Sequence, residues 1–100
     1  MAYYRLGRCY VMLEDDGNAL KNLKTLLYCV PPEEAERHPL ETYWIVKGVN
    51  LLEQIAHKTP LPEQCEAAVQ ALKWLEKSGI QDYESVQKRI LAVHKLQKRP

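Results

Sequence analysis

Long apolar runs are missing from this 100-residue sequence. None approaches the roughly 18 residues that a bilayer-crossing helix needs, so no transmembrane segment is expected. The opening residues also lack the cationic-then-apolar pattern of a signal peptide. Excess charge is missing too: 14 Lys and Arg against 13 Asp and Glu leave a formal +1. Sequence-independent capture of phosphate backbones needs a larger cationic surplus, and nucleic acid is not an expected partner. Cysteine is scarce, and Cys9, Cys29 and Cys65 include no C-x-x-C pair. That argues against a disulfide framework or a zinc site. All three fall in expected helices and read as buried, reduced thiols, which places the protein in the cytoplasm, with the nucleus or the cytosolic face of an organelle as variants.

Catalytic signatures are absent in the same way. There is no Gly-rich phosphate loop, no His-Glu-x-x-His and no nucleophile motif. His38 lies beside a proline linker, His57 near a helix end and His94 on the last helix, so they suggest no shared site. A His late in a helix complements the helix dipole. Glu33, Glu34 and Glu36 read as a solvated acidic run. The chain is expected to be non-catalytic, with no metal and no cofactor.

What is present is helical patterning. At 46% hydrophobic and 27% charged residues, a chain of this length suits one globular domain over residues 1–100. Every apolar segment fits the 3.6-residue period better than strand alternation, so the expected fold is all-α. Tyr3, Leu6, Gly7 and Tyr10 share one face of a first helix that opens without a capping residue, as in a chain cut from something longer. An acidic turn at Glu14, Asp15 and Asp16 follows, then a second helix marked by Ala19, Leu23 and Leu26 and stopped by Pro31-Pro32. Glu33 to His38 read as a polar linker or short helical turn. Pro39 suits the first position of a helix to about Lys58, broadly apolar and so in contact on more than one side. Pro62 opens another helix, striped by Cys65, Ala68, Leu72 and Leu75 and ended by Gly79. Asp82 caps a last helix from Tyr83 to about Lys98, with Val86, Ile90 and Val93 inward.

Gly7 and Ala19 are small residues where two antiparallel helices would approach most closely. A mid-helix Gly costs about 1 kcal/mol against Ala, which points to a packing reason. With Tyr3, Leu6, Gly7, Tyr10, Ala19 and Pro31 in this order, residues 1–32 resemble a tetratricopeptide repeat (TPR), whose period is about 34 residues. Trp44 and Gly48, then Ala68, Leu72 and Leu75, echo it as a degenerate second repeat over 39–79, with about eight residues inserted and Lys47 where Leu belongs. Residues 82–98 read as a capping helix on the solenoid.

The resemblance implies antiparallel helical hairpins and a protein–protein adaptor. Such an adaptor would bind a peptide or helix of another protein in the groove lined by its first helices. Here that face would present Tyr4, Arg5, Arg8, Val11 and Met12, together with Met1. Arg5 falls where chaperone-binding members carry an Arg for a C-terminal carboxylate, a role suited to the two parallel donors of a guanidinium; Met1 replaces its usual Lys companion. The alternative is a structural or self-associating segment of a larger helical assembly, a possible homo-oligomer. Lys88, Arg89, Lys95, Lys98 and Arg99 make the last helix locally basic, which its dipole favours. Tyr28, Tyr43 and Trp74 read as core or as anchors.

Overall fold

The structure, a computed structural model, describes residues 2–97. Over these the chain is all-helical: α1 (Ala2–Met12), α2 (Asp16–Leu27), a 3-10 helix (Pro32–Arg37), α3 (Pro39–Lys58), α4 (Pro62–Ser78) and α5 (Tyr83–Gln97). Met1 and residues 98–100, including the end of the expected cap, lie outside the described residues.

The helix ends follow from local backbone chemistry. Asp15 caps α2, its carboxylate accepting from the Asn18 amide at 3.3 Å, while Glu14 turns the chain at φ 59°. Pro31 and Pro32 offer no N–H to extend α2, and the chain passes instead into the 3-10 helix. The buried Thr42 hydroxyl ties that turn down by donating to the Ala35 carbonyl at 2.9 Å. Pro39 and Pro62 open α3 and α4. Gly79 closes α4 at φ 72°, a left-handed position that costs glycine least. Asp82 accepts from the Ser85 amide at 3.0 Å at the start of α5. Hydrogen bonding from the Ser85 side chain and backbone holds its carboxyl below the usual range.

Packing joins each helix only to the next one and the next but one. Helix α1 meets α2 and α3; α2 meets α3 and α4; α3 meets α4 and α5; α4 meets α5. Helix α1 reaches neither α4 nor α5, and α2 does not reach α5. This order puts α1, α3 and α5 in one layer and α2 and α4 in another. The result is a slab of 42 × 31 × 15 Å, whose thin dimension suits two helix layers about 8–10 Å apart.

Leucines of α2 lock the layers. A Cβ added at Gly7 would lie 2.6 Å from Leu23 Cγ, and one added at Gly48 would lie 2.7 Å from Leu26 Cδ2. Leu23 and Leu26, both fully buried, therefore seat in notches on α1 and α3 that only glycine leaves open. Ala19 is fully buried beside them, as are Cys65, Ala68, Leu72 and Leu75 on α4. The long α3, 20 residues against 11 in α1, touches every other helix, which accounts for its broad apolar composition.

Two expectations about burial fail. Tyr3 and Leu6 are 40% and 46% exposed, because α1 has neighbours on only part of its circumference; Tyr10 packs half-buried against the core. Of the thiols only Cys65 is buried, and desolvation pushes its pKa up. Cys9 is exposed because it points away from the Gly7 side of α1. Cys29 is exposed because it lies past the end of α2, where its S–H donates to the Thr25 carbonyl at 3.7 Å.

Candidate functional site

On the face built by α1 and α3, four side chains interlock. Lys47 stands four positions after Tyr43 and three after Trp44 on α3, the spacing at which helical side chains meet. The Tyr43 and Trp44 rings lie edge to face, 5.4 Å between centroids at 76°. Tyr4 reaches across from α1 to Trp44, also at 5.4 Å, tilted by 42°. The Lys47 ammonium sits 4.9 Å from the Tyr43 ring centre and 5.4 Å from that of Trp44. This accommodates a partly buried lysine on α3. Its methylenes cover apolar surface while the cation rests on aromatic faces.

The five residues singled out on α1 divide in two. Tyr4 and Val11 are half-buried and pack against the core. Arg5, Arg8 and Met12 face solvent, Met12 with 76% of its surface open. Neither Arg5 nor Arg8 is ion-paired among the described residues. Helix α1 thus presents these two guanidinium groups and a flexible thioether to solvent, and reaches the aromatic cluster of α3 through Tyr4.

At the other end of the same layer, Arg89 is taken up by internal contacts. Its Nε and Nη2 donate to Glu53 at 3.0 and 2.8 Å, Nη1 to Gln81 at 2.8 Å and Nη2 to Asn50 at 2.7 Å. The fork geometry of the guanidinium makes this bidentate grip possible. It fastens α5 to α3 and removes Arg89 from the basic surface assigned to the last helix; Lys98 and Arg99 fall outside the described residues. His38, His57 and His94 are all exposed on separate elements. Among the described residues, no group of three or more His, Cys, Asp and Glu side chains is placed to hold a metal ion, and no helix is long and apolar enough to cross a membrane.

The opposite layer holds a feature that residue spacing did not reveal. Between the C-terminal halves of α2 and α4 lies an open cleft of about 500 Å³, lined by Lys24, Lys73 and Lys77 and floored by Val30, Pro31 and Trp74. Of the three aromatics left as core or anchor, Trp74 is buried, its indole N–H donating to the Val30 carbonyl at 3.0 Å. Tyr28 and Tyr43 are exposed at 82% and 52%. Lys73 and Lys77, four apart, announce a shared face on α4; Lys24 joins them only through the pairing of α2 with α4. No protein-family model, curated protein or solved structure matches the chain.

Proposed function

We propose that this chain is a non-catalytic, TPR-type interaction module that binds a peptide or helix of another protein on the face of α1 and α3. The observation that carries the reading is the packing order, in which each helix meets only its next two successors. That order is the habit of helical-repeat solenoids, whose units contact neighbours alone. The matched notches support it, since Gly7 and Gly48 lie on alternate helices and both receive leucines from α2.

The face offers suitable chemistry. Arg5 and Arg8 supply exposed cations for carboxylates, Met12 an adaptable apolar contact, and Tyr43 with Trp44 and Lys47 a rigid aromatic platform of the kind that anchors interfaces. Reversing both charges, Arg5→Glu with Arg8→Glu, is expected to abolish partner recovery in a pull-down while leaving helix content by circular dichroism unchanged. Undiminished recovery would count against this face.

A second reading, self-association, is favoured by one observation. Tyr3 and Leu6 on α1, with Leu13 just past its end, leave an apolar band open, Leu13 with 74% of its surface exposed. On this reading a second copy covers the band, and Leu6→Glu dissociates the pair. Sedimentation of the wild-type chain as a monomer across the micromolar range would remove it.

A further inference from the structure

The cleft between α2 and α4 is built from two kinds of surface. Its rim carries the ammonium groups of Lys24, Lys73 and Lys77, no carboxylate lines it, and none of the three is ion-paired among the described residues. Its floor, Val30, Pro31 and Trp74, is apolar, and the uncharged Tyr28 and Gln70 line it as well. Pro31 has no N–H, the Trp74 N–H is already bonded to the Val30 carbonyl, and Val30 is 2% exposed. Whatever settles here must bring an apolar body flanked by negative charge. At about 500 Å³ the cleft falls within the range of ligand-binding pockets and has room for one or two large side chains.

The geometry points to a second binding site, on the layer opposite α1 and α3, for a short acidic peptide segment carrying an apolar anchor residue. Charge complementarity selects the sign of the partner, and the uncharged floor selects the anchor. A single-stranded nucleic acid fits less well, because a strand needs several open aromatic faces on which successive bases stack; the cleft offers one, Tyr28, while Trp74 is only 6% exposed. An anionic bilayer fits less well again, because it is met by a spread basic surface rather than by cations around a depression. The site stands independently of the peptide face proposed above, since it shares no residue with it.

The test uses the full chain and a fluorescein-labelled peptide with a central Leu-Phe pair between runs of glutamate, followed by fluorescence anisotropy. Saturable binding is expected, weakened about tenfold or more by Lys73→Glu with Lys77→Glu and by moderate added salt, as for contacts governed by charge. Replacing the Leu-Phe pair by Ser-Ser is expected to weaken binding comparably. Arg5→Glu with Arg8→Glu should leave it unchanged, which separates this site from the α1–α3 face. Lys73→Gln with Lys77→Gln gives a milder version should charge reversal disturb α4. Equal binding of the Ser-Ser peptide, indifference to the lysine changes, or binding only to polyuridylate or to phosphatidylglycerol vesicles through those lysines would each overturn the proposal.

Discussion

Leu23→Ala is expected to remove about 3–5 kcal/mol of folding stability, at the upper end of what deletion of a buried leucine costs. Leu23 is fully buried. Its side chain fills the notch at Gly7 and also approaches the glycine on α3, with Cδ2 3.8 Å from where a Gly48 Cβ would stand. The space left by truncation is therefore walled by three helices. It closes only if α1 moves toward α2 and α3 together, which the short turn through Glu14 resists. A domain of this size has about 5–15 kcal/mol in total, so the loss is a large share. The melting temperature should fall by about 4–8 °C for each kcal/mol. Leu6→Ala, on a residue 46% exposed, is the contrast and should change little. A denaturant midpoint for Leu23→Ala close to that of Leu6→Ala would contradict the seam described here.

Gly7→Leu should be comparably damaging for the opposite reason. Propensity alone favours replacing the glycine, by about 1 kcal/mol for Ala. Packing opposes it: even a lone Cβ would lie 2.6 Å from Leu23 Cγ and 2.7 Å from its Cδ2. Cγ is the branch point of a side chain held on all sides, so rotation of a terminal methyl does not relieve the overlap. Overpacking of this kind costs about 1–3 kcal/mol, and the further carbons of Leu carry the loss toward or past the upper figure, outweighing the helical gain. The two effects share one space. Gly7→Leu combined with Leu23→Ala is therefore expected to be milder than the sum of the single changes, a coupling that a double-mutant cycle measures directly. Strict additivity of the pair in chemical denaturation would show that the notch is not filled as described. Gly17→Ala serves as control, because its added Cβ meets nothing nearer than Asp15 Oδ1 at 3.9 Å.

The helix starts and stops were legible because the groups that decide them are local. Pro39, Pro62 and Gly79 act on the backbone at their own positions, and the observed boundaries fall there. Gly7 could be read as a close approach for a similar reason, since a mid-helix glycine asks for an explanation within its own segment. Periodicity shows which residues share a face of a helix, but not how many neighbours that face will find. Tyr3 and Leu6 share the helical spacing of Gly7 and Tyr10, yet no neighbour covers them and they stay 40% and 46% exposed. Lys47 departs from the apolar pattern of α3, and its two aromatic neighbours account for it. Arg89 reads as a surface cation from its own segment, whereas Glu53 and Asn50, on a helix far back in the chain, surround it. The lysine-rimmed cleft needed the same kind of long-range pairing, between α2 and α4. The five α1 residues were legible only as a pattern. Their division into inward Tyr4 and Val11 and outward Arg5, Arg8 and Met12 depends on where α3 comes to rest.

Helices that touch only their two successors also bear on how the chain reaches this shape. No part of α1 has to find α4 or α5, so the loops that must close are short and their entropy is small. In helical-repeat arrays assembly can start at any unit and spread outward; on the repeat reading proposed above, the same route run backwards would let α1 or α5 lift away while the middle of the slab stays formed. The aromatic cluster on α3 would belong to that persistent middle, whereas Arg5, Arg8 and Met12 would ride on a helix free to detach. A partner gripping both would hold the outermost rod in place, so recognition and consolidation of the fold would be the same event.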